Sequence, residues 1–309
     1  MTLALVFPGQ GSQSVGMMRP FAESRAVRDV FAQAAEVLKQ DLWMLAEQGP
    51  EPELNATVNT QPLMLTAGYA VYRAWRDAGG PEPDHLAGHS LGEYTAWVVA
   101  GAISFDDALP LVRFRANAMQ EAVPPGEGAM AAILGLDDDT VRAACKEAAQ
   151  GQIVEPVNFN APSQVVIAGN KAAVERGAAA AKARGAKRAV MLPVSAPFHS
   201  SLLRPAAVRL ANYLERIRIN VPRIPVVNNV DVATEREPQR IKDALARQAC
   251  SPVRWVEVIR HLASAGVDRV AECGPGKVLG ALTRRIDDAL HSYAMNDPAS
   301  VQQTIEALR

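Results

Sequence analysis

The stretch LAGHSLGEY, Leu86–Tyr94, places Ser90 midway between Gly88 and Gly92, with His89 before it and Glu93 shortly after. Ahead of the serine, DHLAGHS is short and apolar enough for a buried strand. Behind it, LGEYTAWVVAGAI carries small and apolar residues at helical spacing as far as Gly101. Strand, tight turn and helix in succession point to an α/β fold. A G-x-S-x-G turn needs glycine where side chains would collide. It projects the serine hydroxyl from the backbone and turns the next N–H toward any developing oxyanion. Ser90 is therefore the nucleophile candidate, against the plainer reading of a turn that happens to contain serine.

Working outward, Leu3–Phe7 is an unbroken apolar run cut off by Pro8 and Gly9, as in a buried strand leading to a loop. Met17 to about Trp75 reads mainly as helices, with NTQP, Asn59–Pro62, marking one helix start. Ser104 and Asp106 suggest a cap before DDALPLVRFRANAMQ. Composition shifts at VPPGEG, Val123–Gly128, and the pattern beyond it can be counted. AMAAILGL (strand), DDDTVRAACKEAAQ (helix), IVEPVNFN and SQVVIAG (strands), KAAVERGAAAAKARG (helix) and KRAVMLPV (strand) give the order βαββαβ of a ferredoxin-like unit. Past Pro197, RIPVVNNV and VDRVAECG read as buried strands and GPGKVLGALTRRI as a turn and helix. The expected architecture is an α/β domain with a parallel sheet, made from residues 1–124 and 196–309, into which residues 125–195 insert as a small domain.

The chain of 309 residues is long enough for a large core, and 49% apolar with 21% charged residues describes a folded globule. Its 32 basic and 33 acidic residues nearly cancel, so no bulk field draws nucleic acid or an anionic membrane. Cys145, Cys250 and Cys273 are too few and too scattered for a disulfide framework or a metal site. The opening MTLALVFPGQG has neither basic residues before its apolar run nor a small-residue cleavage site, and no stretch is long and apolar enough to span a bilayer. A cytoplasmic setting is the expectation. The glycine-rich stretches GQGSQSVG and GPGKVLG miss the spacing of dinucleotide and phosphate loops and read as turns.

A serine nucleophile needs a base. Of the five histidines, His261 and His291 lie in helical patterns, His85 precedes the short strand, and His89 should diverge from its neighbour Ser90 at a sharp turn. His199, in SAPFHSSLL, follows a proline-containing break and opens a helix, where a side chain can face a cleft; it is the candidate base. Arg113 and Arg115 are two apart and cannot share a helix face, so one can turn inward, although two surface arginines is the plainer reading.

FPGQGSQ (7–13), GHSLGEY (88–94), RANAMQEAVP (115–124), NFNAPSQVVIAG (158–169), VSAPFHS (194–200) and ECGPGKVL (272–279) occur here in one order. Together they resemble the malonyl-CoA:acyl carrier protein transacylase family over essentially the whole chain. The resemblance implies an α/β hydrolase-like core with an inserted ferredoxin-like domain. It implies Ser90 as nucleophile, His199 as its base and Arg115 as the residue that binds the malonyl carboxylate. Gln10 and the amide of Leu91 would form the oxyanion hole, and Gln248 would orient His199 through its main-chain carbonyl. Glu93 would serve the first turn of its helix, where an acid suits the dipole. The implied reaction is ping-pong transfer of malonyl from malonyl-CoA through a malonyl-serine to the pantetheine thiol of holo acyl carrier protein, for fatty acid synthesis, with no metal or redox cofactor. The same chemistry serving polyketide synthesis or malonate decarboxylation, a serine hydrolase, and a non-enzymatic carrier-protein scaffold are the alternatives.

Overall fold

Nine strands are laid out along the described residues, β1 (Leu3–Phe7), β2 (His85–Gly88), β3 (Gly128–Leu134), β4 (Val154–Ala161), β5 (Gln164–Asn170), β6 (Arg188–Met191), β7 (Val226–Val227), β8 (Arg269–Cys273) and β9 (His291–Met295). The structure, a computed structural model, describes residues 2–194 and 196–309. Ser195, where the expected insertion ends, lies outside the described residues.

One sheet is parallel throughout, in the order β7-β2-β1-β8-β9. Its central strand β1 is buried along its length, and the alternation of side chains divides it between two cores. Leu3, Leu5 and Phe7 join a cluster with α1 (Arg25–Leu38), α4 (Thr57–Asp77), α5 (Leu91–Val99), α6 (Phe105–Glu121) and α9 (Arg204–Leu214). Two short helices, α2 (Leu42–Gln48) and α3 (Glu51–Asn55), also feed that cluster. Ala4 and Val6 face the other way, against α11 (Trp255–Ser264) and α12 (Val278–Ile286). A parallel sheet covered on both faces accounts for the continuous apolar runs of its strands. Caps fix where helices begin: Ser24 and Ser104 Oγ accept from Val27 N and Asp107 N, and Asp41 Oδ1 from Met44 N.

The second sheet is antiparallel, ordered β4-β5-β3-β6. With α7 (Asp138–Ala149) and α8 (Lys171–Ala183) it encloses its own apolar cluster, including Ile133, Val141, Val165 and Val174. The remaining helices are α10 (Pro238–Gln248) and α13 (Pro298–Ala307). An isolated bridge ties the antiparallel sheet to the segment beyond α10. Phe159 N donates to Val253 O at 3.0 Å and Val253 N to Val157 O at 2.8 Å.

Three elements differ from the sequence expectation. Asn59–Pro62 does not start a helix but lies within the first turns of α4, which begins at Thr57. Proline forfeits one ladder bond there, and the burial of most of α4 outweighs that loss. RIPVVNNV contributes only Val226–Val227 to the sheet, because Asn228 Oδ1 accepts from Val230 N and Asp231 N and turns the chain away. His291 opens the edge strand β9 rather than lying in a helix, since pairing with β8 decides a segment too short for periodicity to settle. No helix among the described residues is long and apolar enough to cross a membrane.

Candidate active site

All strands of the large sheet run the same way, so the segments after β1, β2 and β7 gather at its carboxyl edge, where open α/β sheets bind ligands. Gln10, Ser90 and Asn229 arrive there. The turn carrying Ser90 is tight enough that glycine is obligatory around it. A Cβ on Gly88 would lie 2.0 Å from Gly92 C and O, and one on Gly92 would lie 2.0 Å from Phe7 O. Ser90 itself has φ 53 and ψ −110, outside the regions L-residues favour, and caps α5. His199 also has a positive φ, 67. Two strained residues facing each other mark a functional site.

Ser90 Oγ and His199 Nε2 are 2.7 Å apart. His199 Nδ1 lies 2.9 Å from Gln248 O, a carbonyl that can only accept, so Nδ1 carries the proton and Nε2 is free to accept from the serine hydroxyl. His199 is buried, and burial first and the Arg115 charge second push its imidazole down to about 3. It rests neutral, as a base must.

Arg115 turns inward from the middle of α6, whereas Arg113 reaches Leu38 O and the Gln40 side chain. The plainer reading of two surface arginines therefore fails. Arg115 Nη2 donates to Ser90 Oγ at 3.2 Å and to Gln248 Oε1 at 2.8 Å, and Nη1 donates to Gln61 Oε1 at 2.9 Å. Its Cζ sits 5.2 Å from the Tyr94 ring centroid. Among the described residues no carboxylate lies within ion-pair distance of it, and its Nε has no hydrogen-bond partner. A buried cation held only by neutral oxygens is built to receive an anion.

Gln10 and Leu91 line the same cavity of about 450 Å³ as Ser90, His199 and Arg115. The Leu91 amide is the first of α5, where helix N–H groups point outward unbonded, and Gly9 passes close enough that a Cβ there would meet His89 O at 2.5 Å. The Gln10 side chain is turned to Thr57 Oγ1 at 3.3 Å, which leaves its backbone as the part available to the site. His89 diverges from Ser90 as expected, donating from Nε2 to Asn160 Oδ1 at 2.8 Å with its ring edge-on to Trp255.

Three participants were not singled out in the sequence for what they do here. Gln61 lies in the NTQP stretch read as a helix start. Asn229 accepts from Ser90 N and donates to Gly88 O, both at 2.8 Å, and so braces the turn. Glu93 is in the first turn of α5 but is wholly buried and engages Gln248, Asn229 and Trp97 rather than simply facing the dipole. A glutamate in a run of apolar and small residues, LGEYTAWVVAGA, was the one available signal.

Such a nucleophile, base and oxyanion-facing helix terminus on a parallel sheet define a serine-dependent acyl-transfer fold. Residues 4–306 match the acyl transferase domain family, and the chain belongs to that family. It is 55% identical over 304 residues to the malonyl CoA-acyl carrier protein transacylase of Escherichia coli strain K12, covering 98% of each chain. Superposed on the crystal structure of an acyl-carrier-protein S-malonyltransferase from Burkholderia pseudomallei 1710b, it gives a TM-score of 0.98 at 61% identity, covering 99% of this chain and 100% of that one. It matches equally, at TM-score 0.98 and 52% identity over 99% and 100% of the two chains, a malonyl-transacylase solved in complex with its type II PKS acyl-carrier protein.

Proposed function

We propose that this enzyme moves the malonyl group of malonyl-CoA to the pantetheine thiol of holo acyl carrier protein, in fatty acid synthesis, by a ping-pong route through malonyl-Ser90. The observation that carries this reading is the buried Arg115 guanidinium, 3.2 Å from Ser90 Oγ and without a carboxylate partner among the described residues. An acyl group on Ser90 that ends in a carboxylate supplies that partner, and a planar guanidinium accepts it through two parallel hydrogen bonds.

His199 Nε2 takes the Ser90 proton as Oγ adds to the thioester carbonyl. The oxyanion lies between the amides of Leu91 and Gln10. His199 then returns the proton to the departing coenzyme A sulfur, which leaves the malonyl ester on Ser90. In the second half the carrier's thiol gives its proton to His199, its sulfur attacks the ester carbonyl, and Oγ leaves with the proton restored. Gln248 O holds the imidazole tautomer throughout without contributing a full charge. No step calls on a metal or redox group, and coenzyme A acts only as the acyl carrier. The division into an α/β domain (1–124 and 196–309) and an inserted small domain (125–195) belongs to this reading, supported by the separate apolar cluster around β3 and β5, as does a cytoplasmic setting.

Intact-mass measurement after mixing with malonyl-CoA tests it. The expected result is one malonyl adduct, absent in Ser90→Ala and discharged quickly by holo acyl carrier protein but slowly by water; nucleophile removal in related serine chemistry costs on the order of 10³-fold or more. Rapid discharge by water alone would instead assign the chain to the serine hydrolases.

A further inference from the structure

Gln248 is the junction of the site. Its main-chain oxygen holds His199, its Oε1 accepts from Arg115, and its Nε2 donates to Ser90 O at 3.0 Å and to Glu93 Oε2 at 2.8 Å. A side-chain amide has one accepting and one donating end, and half a turn about its last bond exchanges them. Only one orientation lets Arg115 meet an acceptor. In the other, Nε2 faces the guanidinium and Oε1 faces two acceptors.

We propose that Glu93 is a positioning residue that fixes the Gln248 amide in this orientation and thereby sets the place of Arg115 for the substrate carboxylate. The proposal rests on the malonyl-transfer reading above. Each partner that Glu93 meets is a donor: Gln248 Nε2, Asn229 N at 2.9 Å, and Trp97 Nε1 at 3.3 Å. Once ionised, above about pH 7, the carboxylate is acceptor-only and accommodates all three, so Gln248 can then present nothing but its NH₂ to Glu93. Ser90 O asks the same of Gln248, but a bond to a carboxylate is about twice as strong as one between neutral groups. Burial pushes the Glu93 carboxyl up to about 7, while Gln248, Asn229, Trp97 and the Arg115 charge act the other way. Glu93 makes no hydrogen bond to Ser90 Oγ or His199 among those described, so it acts through Gln248 rather than on the reacting atoms.

The readout is the ratio of kcat/KM for malonyl-CoA to that for acetyl-CoA, because only malonyl uses Arg115. A merely structural loss lowers both together. In Glu93→Gln the side chain keeps its volume but has a single accepting oxygen for three donors. Its ratio should fall by about threefold or more, with circular dichroism and melting unchanged in form, and Glu93→Ala should lower it further. In a Gln248→Ala background, Glu93→Gln should change the ratio by less than about 1.5-fold, since its route is already gone. A folded Glu93→Gln enzyme with the wild-type ratio overturns the proposal, as does an effect of undiminished size in the Gln248→Ala background; both stand if Glu93→Ala fails to fold. A wild-type enzyme that does not prefer malonyl overturns the substrate reading instead, and is recognised before any variant is made.

Discussion

A histidine whose imidazole is pushed down to about 3 by burial and by Arg115 makes a measurable statement about stability. Between about pH 6.5 and 3 the unfolded chain binds a proton at this position that the folded chain refuses, so the His199 contribution to stability is lost as pH falls through that window. Glu93 has the opposite sign. Its carboxyl, raised to about 7, holds a proton in the folded state that the unfolded chain releases above about 4.5, so its contribution falls as pH rises toward 7. The two oppose each other in mildly acidic solution. His199→Ala removes one and keeps the other, so the stability of the variant relative to wild type should improve on going from pH 6.5 to 5. The gain should be on the order of 2 kcal/mol for that change, measured by urea unfolding at both values. An unchanged gap would mean that folded His199 takes up its proton as readily as in the unfolded chain, so that burial and the Arg115 charge do not hold it neutral at pH 5.

At the scale of elements, β2, its turn and α5 join at two close approaches, Gly88 against Gly92 and Gly92 under the Phe7 carbonyl. Gly92→Ala drives a methyl group into backbone that has nowhere to go. It should cost about 3 kcal/mol or more, read as a fall in melting temperature, and separate Ser90 from the β1 loop that carries Gln10. A Gly92→Ala protein as stable and as reactive as wild type would show that β1 and α5 can part freely. The same element scale explains what the sequence discloses. The G-x-S-x-G turn, the run Leu3–Phe7 and the βαββαβ count were legible because glycine sterics and short-range periodicity are local. The motif resemblance then identified Ser90, His199, Arg115, Gln10, Leu91 and Gln248 as residues to bring together, and all six line or brace one cavity. Most of the rest was set by distant partners. β9 depends on an edge offered by β8, and the buried roles of Gln61 and Glu93 depend on Arg115, Asn229 and Gln248, each more than 50 residues away, whereas the two-residue length of β7 follows from the local Asn228 turn. No periodicity encodes such pairings.

Across the whole molecule, the site draws on the first loop, the middle helices, the segment around His199 and the end of α10, so only the fully folded chain assembles it. The antiparallel sheet meets the segment beyond α10 near the site through the pair of hydrogen bonds joining Val253, five residues beyond Gln248, with Val157 and Phe159. Those two amides work as a gauge. If the antiparallel sheet swings away to admit a bulky donor or acceptor, Val253 and Phe159 N–H must come free and trade their hydrogens with deuterated solvent. If the cleft is static, they exchange only when the chain unfolds globally. Both are buried, and the expected result is exchange as slow as that of the β1 amides, unchanged when carrier protein is added. Substrates then thread to Ser90 through a fixed mouth, and the order in which they arrive is a matter of competition for one doorway rather than of hinged motion.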